Sequence, residues 1–296
     1  MHIPVLLHET IEGLTLKKGG TYVDCTVNRG GHSQHIAQAI GKSGTLICID
    51  LDQEALDEAT SLLTGLAQAP TYHFIQSNFR HLKTILQDLH ISHVDGVLAD
   101  LGLSSQELDI SGRGFSFRFD EPLQMTFASN PQEDTTTASD IVNFWSEATI
   151  ADILFGYADE TYAKRIARAI VSYRIGKTIT TTTELVDIIS SAVPSAYRHR
   201  KTHCATKTFQ ALRMAVNDEL GSIRDLIDSL PEILSPQGRA CIITFHSTED
   251  RLVKQTLRSH LETLTPITKK PIIPSEKEIH ENPRARSAQL RIIERK

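Results

Sequence analysis

Three familiar signposts are missing from this sequence. The four cysteines, Cys25, Cys48, Cys204 and Cys241, show no CxxC spacing and sit mostly inside apolar runs, which points away from a disulfide framework and from a zinc site. A reducing cytoplasm is the compartment that fits, and no metal is called for. The opening stretch MHIPVLLHE is not a basic segment followed by a long apolar one, and no later run approaches the roughly 18 apolar residues of a membrane span. A soluble, non-exported protein is predicted, with no membrane partner. The GxGxxG of a pyrophosphate-binding dinucleotide site is absent as well, and so are internal repeats.

What is present is length and an uneven charge. With 296 residues the chain suits one large α/β unit carrying an insertion, or two domains. The net charge is only −5, yet residues 1–160 carry 8 basic and 22 acidic side chains and residues 161–296 carry 23 and 14. A second half this basic suggests a polyanion partner, because Lys and Arg contacts to phosphate supply most nucleic-acid affinity. Ordinary solvated helix faces are the alternative.

The first hundred residues alternate strand-like and helix-like segments, the pattern of a parallel sheet covered on both faces. Strands are predicted at Thr21–Thr26, Thr45–Asp50, Tyr72–Gln76 and Val94–Asp100, with helices near 33–40, from 53 and near 82–89. The alternation then stops for about a hundred residues, where Thr149–Tyr173 and Thr183–Ala192 read as helical. It resumes with a long helix over 206–230, a strand over Arg239–Phe245, a helix over 249–261 and a last strand near Leu290–Ile293. The expected division is therefore a discontinuous domain of residues 1–104 and 206–296 and an inserted, mostly helical subdomain of 105–205. Residues Thr265–Asn282, rich in Pro, Lys and Glu, read as a surface excursion.

Gly30, Gly31 and His32 follow the first strand, at the mouth of a parallel sheet, where open α/β folds bind ligands. A loose glycine turn without a phosphate cradle suits S-adenosylmethionine, which has no pyrophosphate. Asp50 closes the second strand, where a carboxylate accepts hydrogen bonds from both ribose hydroxyls; capping of the next helix by Asp50 or Asp52 is the competing role. Phe79 follows the third strand, placed to stack on an adenine or to fill the core. Asp100 ends the buried fourth strand, an expensive position for a carboxylate without a partner.

The blocks VLLHE, DCTVNRGGHS, DLGLSS followed by RGFSF, AKRIARAI, ATKTFQALRMAVNDEL, FHSTEDRLVK and NPRARSAQLR run in order from Pro4 to Arg291. Together they resemble the bacterial small-subunit ribosomal RNA cytosine-N4 methyltransferase family, also called MraW. The resemblance implies a Rossmann-like α/β methyltransferase sheet, S-adenosylmethionine as cofactor, and the 16S ribosomal RNA of the small ribosomal subunit as partner. The implied reaction is methylation of N4 of a cytidine in the decoding centre. The family's cofactor contacts fall on Gly30, Gly31, His32, Asp50, Phe79 and Asp100. In the next aligned slot Glu107 stands where the family usually has glutamine, so Glu107 or the neighbouring Gln106 covers that contact, or the contact is lost. Departures also occur at Gln124, Ala158 and Lys207, the last trading a planar bidentate donor for a point charge.

Asp100 is the candidate catalytic residue: it, or a nearby backbone carbonyl, would accept a hydrogen bond from the N4 amine; binding cofactor alone is its other role. Lys164, Arg165 and Arg168 share one side of the AKRIARAI helix, opposite Ile166 and Ile170. Arg198, Arg200, Lys201 and Lys207 lie in a stretch without an acid. With Arg113, these cations are the candidate RNA contacts. Phe115 and Phe117 are candidates for base stacking, or for a small core beneath the RGFSF loop. Two other classes stay open: a nicotinamide-dependent dehydrogenase, and a ribosome-assembly factor that binds RNA without turnover. The sequence leaves the oligomeric state, a homodimer included, undecided.

Overall fold

The computed structural model describes residues 4–102, 112–127 and 135–296. The chain forms two compact units, one of Met1–Gly102 with Leu220–Lys296 and one of Leu103–Glu219. The predicted return to the sheet domain at residue 206 therefore falls at 220.

In the first unit the described elements are α1 (Leu7–Gly13), β1 (Thr21–Asp24), α2 (Gly31–Ile40), β2 (Thr45–Asp50), α3 (Gln53–Thr64), β3 (Thr71–Gln76), α4 (Leu82–Asp88) and β4 (Val94–Asp100). Among the described residues, seven strands make one sheet in the order β3-β2-β1-β4-β5-β7-β6, completed by β5 (Leu234–Thr244), β6 (Leu264–Pro266) and β7 (Gln289–Arg295). Strands β1 to β5 pair parallel, whereas β7 runs antiparallel to both β5 and β6. Successive residues of a strand face opposite sides of the sheet. Val23, Ile47 and Ile49 accordingly join one core, and Tyr22, Leu46 and Cys48 join the other. Burial on both faces is why these strands read as continuous apolar runs. All four cysteines are buried and free.

The second unit is helical: α5 (Ala138–Phe144), α6 (Glu147–Ala158), α7 (Ala163–Arg174), α8 (Thr182–Ala192), α9 (Ser195–Arg198) and α10 (Thr206–Val216). It has its own core, in which Ile150, Leu154, Ile166, Ile170, Leu185, Phe209 and Leu212 are buried. Two predicted helices are each broken. The 149–173 segment splits at Asp159, whose φ of 48° ends α6, and the 206–230 segment splits at Asp218 (φ 44°) between α10 and α11 (Glu219–Ile233). The second break explains the shifted boundary, because the apolar face of α10 packs on α6 inside the helical unit.

The expected surface excursion at 265–282 is tied down at several points. It contributes β6 and α13 (Glu276–Glu281), after α12 (Ser247–Arg258). Ile272 bridges to Leu290, and the Glu278 carboxylate accepts from the Leu6 N–H at 2.7 Å. Among the described residues no helix is long and apolar enough to cross a membrane.

Candidate functional site

The carboxyl ends of β1, β2 and β4 lie side by side, so the residues that close these strands share one edge of the sheet. Gly30 takes the left-handed conformation (φ 78°) that glycine adopts freely, and its N–H closes the turn onto the Val27 carbonyl at 2.8 Å. A Cβ there would lie 3.3 Å from Leu62 of α3. Gly31 opens α2 against Pro4, whose ring a Cβ would meet at 2.7 Å. The turn is thus both strained for other residues and closed on its inner side.

Asp50 is wired to this turn. Its carboxylate accepts the Asn28 N–H at 2.8 Å and the Asp52 N–H at 3.0 Å, while Asp52 caps α3 by accepting from Glu54. The capping role raised for both acids therefore belongs to Asp52 alone. Asn78 starts the turn that carries Phe79 by accepting from the Arg80 N–H, and its amide donates to Ser222 at 3.1 Å. Phe79 is half-buried and packs only in part against the core.

Asp100 lies 13 % exposed at the end of β4. Its own N–H donates to Thr26 Oγ1 at 2.7 Å, and its Oδ1 accepts from the Gly102 N–H at 3.2 Å. Burial raises its carboxyl to about 6, against the pull of the Gly102 hydrogen bond and with help from the charge of Glu249. His32 is buried, and its Nε2 donates to the Val5 carbonyl at 3.0 Å. Burial lowers the imidazole, so the ring is neutral and its Nδ1, 3.8 Å from Asp100 Oδ2, presents a lone pair rather than an ionic partner.

Asp24 was not singled out from the sequence. It ends β1 fully buried, accepts the Ser33 hydroxyl at 2.6 Å and the Thr26 N–H at 3.2 Å, and is pushed up by burial. The signal was available: a carboxylate closing a buried strand costs free energy unless partnered, as at Asp100. The aligned contact expected at Gln106 or Glu107 lies outside the described residues.

The whole chain, residues 1–296, matches the family model described as the MraW methylase family. The chain belongs to that family. It is a methyltransferase dependent on S-adenosylmethionine, on a Rossmann-like sheet. The chain is 44 % identical, over 99 % of its length and 98 % of the relative's, to a ribosomal RNA small subunit methyltransferase H from Brevibacillus brevis. Among solved structures it is similar to an rRNA methylase from Streptococcus thermophilus (10 % identity, 100 % and 99 % of the two chains, TM-score 0.48). TrmN from Thermus thermophilus is similar at 11 % identity, over 98 % of this chain and 48 % of that one, with a TM-score of 0.47.

In the helical unit, Lys164, Arg165 and Arg168 are exposed on α7, and Arg198, Arg200 and Lys201 are exposed at and after α9. The rings of Tyr162 and Tyr197 meet edge to face at 4.9 Å; Arg165 lies over the first at 5.8 Å and Arg200 over the second at 4.7 Å. Buried Glu160 accepts the Tyr197 hydroxyl at 2.8 Å and so fixes the pair. The ring pair thereby brings Arg165 and Arg200, far apart in sequence, near one another, while Arg168 pairs with Glu147 at 3.5 Å. Arg113 instead donates to the carbonyls of Thr126 and Phe127, and Lys207 donates to the Asp159 carbonyl at 2.7 Å. Phe115 is buried, and Phe117 stacks on His203 at 4.7 Å and meets Phe209 edge-on, which places both rings in the core beneath the loop.

Proposed function

We propose that the edge formed by Gly30, Gly31, His32, Asp50, Phe79 and Asp100 holds S-adenosylmethionine for methylation of N4 of a cytidine in the decoding centre of 16S ribosomal RNA, in the cytoplasm. The residues fit the group. The Gly30 turn keeps side chains away from the sheet edge, and Asp50 presents a carboxylate oriented by two backbone N–H groups, suited to ribose hydroxyls. Phe79 offers a partly exposed ring for an adenine. Bound there, the cofactor supplies an electrophilic methyl group on its sulfonium sulfur.

The lone pair of cytosine N4 is delocalised into its ring, so methylation requires a fixed line of attack and an acceptor for the departing proton. Positioning contributes roughly 7–11 kcal/mol to such a step. Asp100 accepts a hydrogen bond from the amine, localises its lone pair, and takes the proton as the N–C bond forms. A carboxyl held at about 6 is ionised at neutral pH and close enough to that pH to take a proton transiently. The exposed cations Lys164, Arg165, Arg168, Arg198, Arg200 and Lys201 grip phosphates of the RNA. Arg113 and Lys207 act within the helical unit, where their donors already have carbonyl partners.

The observation that carries this reading is the buried Asp100 carboxyl, raised to about 6 on the same sheet edge as the Gly30 turn and Asp50. The test is Asp100→Asn, with calorimetry of cofactor binding beside single-turnover methyl transfer. Near-normal affinity with turnover reduced by at least roughly a hundredfold is expected; parallel losses in both would limit Asp100 to cofactor binding. Nucleoside mass spectrometry of small-subunit RNA with and without the protein separates an enzyme from a non-catalytic assembly factor.

A further inference from the structure

The first unit holds a cavity of about 300 Å³, and it lies beyond β4 rather than over the cofactor wall. It is lined by Phe245 and Ser247 just past β5, by Arg286 and Gln289 before and at the start of β7, and by the aliphatic Ile273 and Ile279. This volume sits at the lower bound of small-ligand pockets.

Three observations say what fits. Phe245 connects the cavity to the reacting edge: a Cβ on Gly102, two residues past Asp100, would lie 2.7 Å from its ring. One strand spacing, about 4.8 Å, separates the end of β4 from β5, so an occupant here is a neighbour of whatever stands before Asp100. Arg286 is exposed on the rim and has no hydrogen-bond or ionic partner among the described residues. Gln289 carries both a donor and an acceptor on its amide, the pair needed to read a base edge. The wall is also preformed, because the Glu249 carboxylate accepts the Phe245 N–H at 2.8 Å and the His246 ring accepts the Glu249 N–H at 3.4 Å. An aromatic and aliphatic slot, a bidentate amide and an exposed guanidinium match a base and its phosphate.

We propose that this cavity binds a nucleotide of the RNA strand adjacent to the methylated cytidine, with its base between Phe245 and Ile273 and its phosphate on Arg286. The inference rests on the RNA methyltransferase reading above. It makes these residues determinants of sequence context, since a base that leaves its stack for chemistry is held partly through the nucleotides flanking it.

The test uses the full chain with S-adenosylmethionine and a small-subunit ribosomal RNA hairpin containing the target cytidine. Arg286→Ala is expected to raise KM for RNA about tenfold, the low end for a charge-assisted hydrogen bond. It should also reduce the slope of log affinity against log salt by about 0.7, as for one phosphate of a single strand. Cofactor affinity and kcat stay within about twofold. With 4-thiouridine one nucleotide to either side of the target, cross-links are expected on residues 245–247 or 286–289, and Ser287→Trp, which fills the cavity from its rim, abolishes them. An unchanged KM and salt slope for Arg286→Ala, or cross-links confined to other segments, overturns the proposal. If the wild-type protein transfers no methyl group to the hairpin or to small subunits, the underlying reading fails and the proposal falls with it.

Discussion

Replacing Asp100 by Asn keeps the side chain's shape and the oxygen that accepts from the Gly102 N–H, and removes its charge. The carboxyl is raised from 3.8 to about 6 in the folded protein, chiefly by burial. At 1.36 kcal/mol per pKa unit, ionised Asp100 costs the native state up to about 3 kcal/mol. The folded-state value lies above the unfolded one, so the native state binds the proton more tightly and stability falls as pH rises through the interval between them. The cost is absent below about pH 4, develops toward pH 6 and is complete at pH 7.5. Asp100→Asn should therefore unfold at a Tm roughly 4–10 °C higher than wild type at pH 7.5, and the gap should close near pH 4. Thermal unfolding of the ligand-free protein across this range is the assay. A variant less stable than wild type at pH 7.5, or a gap independent of pH, would refute the argument and remove the physical basis for Asp100 as a proton acceptor.

Four further outcomes follow from other contacts. Gly30→Ala forces a Cβ into the left-handed turn beside Leu62, costing about 1–2 kcal/mol, and calorimetry should find cofactor binding weakened. Arg291→Met strands the Asp250 carboxylate of a bidentate, mostly buried pair (2.6 and 2.9 Å) and should cost about 3–5 kcal/mol in denaturant unfolding, part of which Asp250→Asn restores. Phe117→Ala should lower stability by about 2 kcal/mol while changing RNA affinity less than about twofold, since its ring packs against His203 and Phe209. Changing Arg198, Arg200 and Lys201 together to Gln should lower the salt slope of RNA binding by about 2, in a fluorescence titration.

The sheet was legible where strands are buried on both faces. TLICID and VDGVLAD are apolar runs closed by carboxylates, and β2 and β4 have the predicted bounds. The start of β5 was not legible: a strand was expected from Arg239, whereas it begins at Leu234 and runs through Pro236 and Gly238, residues that disfavour strands; its pairing with β4 shifts register there. The helix breaks at Asp159 and Asp218 were hidden for another reason. Aspartate tolerates the left-handed conformation without a glycine to mark it, and the apolar periodicity runs on across both. In the site, Asp50 and Asp100 stood out because each closes a strand, and Gly30 because it lies in the glycine turn after β1. Asp24 closes β1 in the same way, but its burial is complete and its partner Ser33 lies on the next helix. The joining of the two basic segments rests on Tyr162 meeting Tyr197, a contact between distant residues that no local pattern encodes.

The split of the first unit also bears on how the chain is made. Strands β4 and β5 pair at the centre of the sheet, yet the whole helical unit stands between them in sequence. During synthesis, β1 to β4 emerge with one side of β4 unpaired and must wait while every residue of Leu103–Glu219 is added. The helical unit has its own core, so it can fold during that wait. Its folding replaces a long flexible loop by a compact body and lowers the entropy cost of closing β5 onto β4. Mutations that slow the helical unit should then leave a half-built sheet with an exposed strand edge, an aggregation hazard for the nascent chain before any effect on methyl transfer.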